Sequence, residues 1–274
     1  MDTGGIALVW GPPRSGTTWL YNVAREMLDT AGIPAGSWVH GHEPPRPGDF
    51  QALVVKAHQA HTIEVIEELE DLTHVHLVAI FRSPHAAFQS LLRTQSAPRA
   101  ELLEWLRRDV ESIVDALPRI PDAVVCREEW IADRAPEIVA ALAAWIHIPL
   151  GPEDSAAIAE RFARHRVRSS VRGLAQRHGW TDSFAHYDLD SHWHANHIAP
   201  DDHDPAEITA DEAAELTDLA ATIDRITADY SLLGAVRELP VAASARPISH
   251  DYVNALAPAD GARRRVSALL RRLR

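Results

Sequence analysis

The chain has little cysteine and no long apolar segment. Its 274 residues include one cysteine, Cys126, so an internal disulfide is excluded and a reducing compartment is favoured. No apolar run approaches the ~18 residues of a membrane-spanning helix, and the first residues lack the basic-then-apolar pattern of a secretion signal. We therefore expect a cytoplasmic protein without stable membrane insertion.

A surplus of basic residues is also absent. The formal net charge is −12, which argues against nucleic acid or a heavily sulfated polysaccharide as a partner. Because 46% of the residues are hydrophobic, the chain can bury one full α/β core. We predict one domain over residues 1–240, followed by a C-terminal extension over 241–274.

Lysine is the scarcest of the basic residues. The 27 basic residues comprise 26 arginines and one lysine, Lys56. Since a compact ammonium and a planar guanidinium are not interchangeable, the single lysine indicates a position where arginine does not serve. Lys56 ends an apolar run, 52–56, and His58 follows two residues later. Ligands of open α/β sheets bind at strand ends, so we favour a functional role for this pair over chance retention.

A glycine-bearing loop follows the first apolar run, 6–10. Residues 11–19 read G-P-P-R-S-G-T-T-W and lead into a predicted helix, 17–28. A strand, a glycine turn and a helix N-terminus together bind phosphate through backbone N–H groups. The spacing matches the loop of nucleotide triphosphatases, but Thr17 occupies the lysine position and the basic residue is Arg14. This change disfavours ATP or GTP hydrolysis and favours another phosphorylated donor.

A third segment combines a strand end, an arginine and a serine. The apolar run 75–81 predicts a buried strand, and Pro84 suits the first turn of the helix that follows. Arg82 lies at the strand end and Ser90 about two turns along the helix. An arginine and a hydroxyl in these positions are suited to bind one further phosphate.

Together, these segments resemble the signature of sulfotransferases that use 3′-phosphoadenosine 5′-phosphosulfate (PAPS). Residues 13–19 match the family's 5′-phosphosulfate loop, and residues 56–58 match its K-x-H motif. Arg82 and Ser90 are eight positions apart, as in its 3′-phosphate motif. The resemblance covers roughly the first 130 residues well and the remainder loosely, and three motifs in order make it specific.

The resemblance implies a three-layer α/β fold with a central parallel sheet and a phosphate-binding loop after the first strand. It implies transfer of a sulfuryl group from PAPS to a hydroxyl or amine of a small-molecule acceptor, without a metal. His58 would be the general base, and Lys56 would place positive charge on the transferring oxygens. The donor-binding residues that it implies are Arg14, Ser15, Gly16, Thr17, Thr18, Trp19, Arg82, Ser90, Arg172 and Gly173.

One departure from the family pattern concerns adenine. The family's aromatic adenine contact is lost, because Arg127 occupies its position. The sequence leaves open whether adenine stacks on Trp19, on Arg127 or on another aromatic residue. The acceptor is not identified by any motif.

Two other functions stay open: a small-molecule kinase with a degenerate phosphate loop, and a non-catalytic protein that binds adenosine 3′,5′-bisphosphate (PAP). Thr17 in the lysine position and the pairing of Lys56 with His58 argue against the kinase. The intact His58 argues against the non-catalytic protein.

The remaining pattern alternates strands with helices. Apolar runs at 6–10, 52–56, 75–81 and 122–126 are separated by helical patterns at 17–28, 61–70, 84–96 and 100–117, which predicts a parallel sheet. Further helices are predicted over 135–146 and 209–230. Residues 32–50 are rich in proline and glycine and are interpreted as a loop, which either lines the acceptor pocket or is an ordinary connection.

The C-terminal third contains a histidine-rich segment and a basic tail. For the segment, which contains His186, His192, His194, His197 and His203, a substrate-covering loop is favoured over a metal site, because the spacing fits no zinc motif. Residues 263–274 carry six arginines and predict a basic amphipathic helix. We favour its docking on the acidic body or contacting another subunit over membrane binding, since its apolar face is short.

Overall fold

The computed structural model describes residues 6–39, 51–58, 75–120, 122–178, 191, 193 and 206–238. Within them, five strands form one sheet in the order β2-β3-β1-β4-β5, and every neighbouring pair is parallel. The strands are β1 (Ile6–Trp10), β2 (Ala35–Val39), β3 (Ala52–Ala57), β4 (Val75–Phe81) and β5 (Ala123–Arg127).

Helices cover both faces of this sheet. Those in the described residues are α1 (Thr17–Thr30), α2 (Pro84–Thr94), α3 (Arg99–Ala116), α4 (Ile131–Trp145), α5 (Pro152–Arg161), α6 (Arg164–His178), α7 (Ala210–Tyr230) and α8 (Leu232–Glu238). None of the described helices is long and apolar enough to cross a membrane. The predicted three-layer α/β fold with a central parallel sheet is confirmed.

Side chains of the central strand alternate between two hydrophobic clusters. Val9 packs with residues of α1, α4 and α5 on one face, and Leu8 and Trp10 pack with residues of α2, α3 and α7 on the other. All five residues of β1 are buried. Burial on both faces explains why β1 reads as a continuous apolar run, because a strand with one face in water would alternate apolar and polar residues.

The order of the strands places one crevice beside β1. From β1 the chain passes to β2 at one edge, whereas from β3 it crosses β1 to reach β4. The carboxyl ends of β3 and β4 therefore lie on either side of the loop that follows β1. In open α/β sheets, this reversal of direction is where ligands bind.

The prediction of an uninterrupted loop over residues 32–50 is wrong at Ala35–Val39, which form β2. The strand contains Gly36 and its residues are exposed or half-buried, so it lacks the apolar run that identified the other four strands. Residues 40–50 and the predicted helix 61–70 lie outside the described residues. Helices α5, α6 and α8 were not predicted.

Two local predictions are confirmed. Helix α4 is kinked at Arg134 (φ −130°), so its regular part begins near Ala135, as Pro136 in its first turn indicated. Cys126 is fully buried in β5, and burial raises the pKa of its thiol to about 12. The cysteine is therefore a neutral core residue and not a nucleophile.

One buried carboxyl group on α3 carries an electrostatic cost. Asp109 is 1% exposed, and its Oδ2 has no hydrogen-bond partner among the described residues. Burial raises the pKa of Asp109 to about 7, opposed by Arg108 and by a hydrogen bond from Trp105. In the unfolded chain the pKa of an aspartate is ~3.9. The destabilisation of the folded protein by ionised Asp109 is therefore complete above pH 7, and it is lost as the pH falls from 7 to 4.

We predict that Asp109→Asn removes this pH-dependent penalty, because asparagine cannot ionise. The melting temperature of the variant minus that of the wild type should rise as pH increases from 4 to 7 and level off above 8. Thermal unfolding followed by circular dichroism across this range measures it. Asp115→Asn, an exposed position on the same helix, is the matched control, and a difference independent of pH at Asp109 would contradict the prediction.

Candidate phosphate-binding site

Three parallel strands bring the predicted site residues to the edge of the sheet at which the carboxyl ends of the strands lie. In the register of β1 with its neighbours, Val9 pairs with Lys56 of β3, and Trp10 pairs with Ala79 of β4. The residues that follow these strands, among them Gly11 and His58, are therefore close in space although they are far apart in sequence. The segments that carry the sulfotransferase resemblance meet at the crevice beside β1.

The loop between β1 and α1 is compact and depends on its glycines. A Cβ at Gly11 would lie 2.5 Å from Ser15 Oγ and would collide with the carbonyl oxygen of Ile80, so a side chain has no room there. Ser15 Oγ donates a hydrogen bond to the Pro12 carbonyl at 2.6 Å, which closes the turn. Gly16 has φ +94°, a conformation natural for glycine, and the helix begins at the next residue.

The N-terminus of α1 presents donors without a capping side chain. Gly16 is its N-cap and, as a glycine, supplies no side-chain cap, and the first turn contains no acidic residue. A helix of 14 residues carries a partial positive charge at this end. The loop and helix therefore form an anion-binding end of the type that the sequence predicted.

Lys56 lies against this helix terminus. Its Nζ donates a hydrogen bond of 2.6 Å to Thr18 Oγ1, and the residue is only 6% exposed. Burial lowers the pKa of Lys56 to about 7, with the positive charge of Arg14 as the second cause. An ammonium held at this cost is typical of a functional site, because a negative ligand would offset the penalty.

The orientation of His58 fixes its tautomer. Its Nδ1 lies 3.1 Å from the carbonyl oxygen of Gly11, and its Nε2 lies 3.4 Å from Thr17 Oγ1. Because a carbonyl oxygen only accepts hydrogen bonds, Nδ1 must carry the proton. Neutral His58 therefore has its lone pair at Nε2, beside the N-terminus of α1, where it is able to accept a proton.

Arginine side chains gather around Ser90. Arg14 Nε donates to Ser90 Oγ at 2.9 Å, which joins the phosphate loop to α2, and Arg93 Nη2 lies 3.5 Å from the same oxygen. Burial lowers the pKa of Arg14 to about 10, and repulsion from Arg93 and Arg82 adds to the effect. Arg82 itself pairs with Glu128, with 3.5 Å between Nε and Oε2. Positive charge is thus concentrated along α2, from Arg82 just before its start to Arg93 in its last turn.

Sequence reasoning missed two residues of this cluster. Arg93 follows Ser90 by three positions and so shares its helical face, a signal that the spacing contained. Glu128 follows β5 at the same sheet edge, and burial raises the pKa of its carboxyl group, with Arg82 acting in the opposite direction. The position of Glu128 after a strand end was also readable from the sequence.

Other predicted donor-binding residues lie apart from this cluster in the contacts that the structure describes. Trp19 is 7% exposed and packs in the core, and its indole N–H donates to the Phe162 carbonyl at 3.1 Å. Arg172 and Gly173 lie on α6, with Arg172 exposed. Arg127, a candidate for adenine stacking, pairs with Glu129 and Asp224. These assignments stay predictions.

Metal binding is not indicated by the described part of the chain. Within it, no three His, Cys, Asp or Glu side chains are close enough to hold a metal ion together. The histidines of the segment 186–203 lie outside the described residues, as does the basic tail 263–274. The hypotheses about both segments therefore stay as the sequence left them.

Comparison with known proteins identifies the fold. No protein-family model matches the chain, and no curated protein matches it significantly. Mouse sulfotransferase SULT7A1 complexed with PAP is similar in structure, with a TM-score of 0.52 and 12% identity over 86% of this chain and 89% of that one. Retinol dehydratase in complex with androsterone and inactive cofactor PAP gives a TM-score of 0.51 and 13% identity over 82% and 81%. The chain has the α/β fold of these PAP-bound proteins.

Because Lys56 is the only lysine, its pKa can be measured directly. Lysine labelled with ¹³C at Cε should give one side-chain resonance, and we predict a titration midpoint near 7 in the folded protein, against ~10.4 for an exposed lysine. Arg14→Gln should raise the midpoint, since it removes a neighbouring positive charge.

Arg225→Gln, at an exposed position on α7, should leave this midpoint unchanged and is the matched control. A midpoint near 10 in the folded wild-type protein would show that Lys56 is not held in a desolvated site.

Proposed function

We propose that the protein is a sulfotransferase that moves a sulfuryl group from PAPS to a hydroxyl or amine of a small-molecule acceptor. The observation that carries the proposal is that Lys56, His58 and the arginines around Ser90 meet at one edge of the sheet. The shared fold with two PAP-bound structures supports it. The buried, unpaired Cys126 supports a cytoplasmic location.

The donor would bind across the N-terminus of α1. The loop N–H groups, the hydroxyls of Thr17 and Thr18 and the ammonium of Lys56 are the groups that would hold the 5′-phosphosulfate. Arg82 and Ser90 would hold the 3′-phosphate. Arg14 belongs to the loop and contacts Ser90, so it lies between the two phosphate positions.

The same geometry supplies a general base. The proton on Nδ1 of His58 is directed to the Gly11 carbonyl, so Nε2 is the nitrogen that would take the proton of the acceptor's hydroxyl or amine. As the acceptor oxygen or nitrogen forms a bond to sulfur, the bond from sulfur to the bridging phosphate oxygen breaks, and PAP leaves with that electron pair. Lys56 would stabilise the negative charge that develops on the leaving oxygen.

The two alternative functions, a kinase and a non-catalytic PAP-binding protein, would each need a different set of residues. A kinase with the usual phosphate loop has a lysine at the position that Thr17 occupies, whereas here the ammonium that contacts the start of α1 comes from β3. A protein that only binds PAP has no use for a histidine with a fixed tautomer beside the helix terminus. Neither alternative explains the Lys56 and His58 contacts together.

We predict that His58→Ala lowers the rate of sulfuryl transfer by ~10²-fold or more while PAP affinity changes less than about twofold, because the side chain acts on the acceptor's proton. Lys56→Arg should lower the rate by ~10²-fold, since it keeps the charge but replaces a compact ammonium by a planar group. Transfer of ³⁵S from labelled PAPS to a metabolite extract provides the assay and identifies the acceptor class.

The matched control is His165→Ala, an exposed histidine on α6, which should transfer at the wild-type rate. Wild-type activity in Lys56→Arg would remove the lysine from the mechanism. Absence of transfer to any acceptor by a wild-type protein that binds PAP would favour the non-catalytic alternative.

A further inference from the structure

We infer that Arg93 binds the donor's 3′-phosphate together with Arg82 and Ser90, and that it sets the preference for adenine nucleotides that carry a 3′-phosphate over those that lack one. The inference rests on the proposed function, because it names an additional residue of that donor site. Arg93 lies outside the motifs that carry the sulfotransferase resemblance.

The first support is the geometry at Ser90. The serine is 7% exposed, and its Oγ accepts a hydrogen bond from Arg14 Nε at 2.9 Å and a longer one from Arg93 Nη2 at 3.5 Å. A hydroxyl that accepts two N–H groups still has its own proton to donate. Two guanidinium groups and one hydroxyl around a single point offer the several donors that a phosphate's oxygens accept.

The second support is the charge of the cluster. Burial lowers the pKa of Arg93, and repulsion from Arg82 adds to this effect. The pKa of Arg14 is lowered in turn by burial, Arg93 and Arg82. These arginines are therefore held close together against mutual repulsion, and one carboxylate, Glu128, pairs with Arg82 at 3.5 Å. A doubly charged phosphate would relieve the repulsion of all three.

A purely structural role for Arg93 predicts a different behaviour. The residue lies in the last turn of α2, where a cation stabilises a helix through its dipole. Replacement would then lower the melting temperature of the free protein and leave the relative affinities for two nucleotides unchanged. The ratio of two dissociation constants therefore separates the structural role from the binding role.

The test is calorimetric titration of Arg93→Ala with PAP and with 5′-AMP, which lacks the 3′-phosphate. We expect PAP to bind at least ~10-fold more weakly than to the wild type and the affinity for 5′-AMP to change less than twofold. Arg93→Lys should lose less PAP affinity than Arg93→Ala, because lysine keeps the positive charge although it lacks the planar guanidinium. Arg93→Gln replaces the alanine variant if that protein does not fold.

Two further variants calibrate the measurement. Arg82→Ala should show the same selective loss of PAP affinity, and Arg225→Ala, exposed on α7, should show none. Equal losses for PAP and 5′-AMP in Arg93→Ala, or no loss for either, would overturn the role of Arg93 while leaving the donor site intact. A wild-type protein that does not prefer PAP to 5′-AMP would overturn the proposed function and this inference together.

Discussion

Repulsion among partly buried cations is the constraint on which the site depends. In a chain of net charge −12, the side chains of Arg14, Lys56, Arg82 and Arg93 gather at one sheet edge. Burial and their mutual charge lower the pKa of Lys56 to about 7 and that of Arg14 to about 10. Folding alone gains nothing from this arrangement, whereas a ligand with two separated anionic groups would be stabilised by it.

The parallel sheet makes the arrangement attainable. Because β1 is central and covered on both faces, the loop after it is anchored by buried strands, and a Cβ at Gly11 would have no space. The strands on either side deliver a lysine from β3 and an arginine from the end of β4 to that loop. Hydrogen bonds from Lys56 to Thr18 and from Arg14 to Ser90 then fix these two cations relative to the start of α1 and the middle of α2.

The sequence predicted the parts of the molecule in which local chemistry and tertiary environment agree. Strands β1, β3, β4 and β5 could be predicted from their apolar runs, and the loop residues from the spacing of the glycines. Strand β2 could not, because a half-exposed strand containing Gly36 has no such run. Contacts between distant segments, such as Arg14 with Ser90 and Trp19 with the Phe162 carbonyl, depend on packing that no local pattern encodes. The role of Arg93 could be predicted from its spacing only after Ser90 had been placed on a helix.

The central claim is that the cation cluster and the α1 terminus together recognise a nucleotide with phosphates at both the 3′ and 5′ positions. Thermal unfolding of the wild-type protein in EDTA, with increasing PAP, tests it most directly. Ligand that binds the folded state raises the melting temperature by mass action, so PAP should raise it in a concentration-dependent way, and ATP with or without Mg²⁺ should not. Stabilisation by ATP and Mg²⁺ together with no effect of PAP would contradict the account.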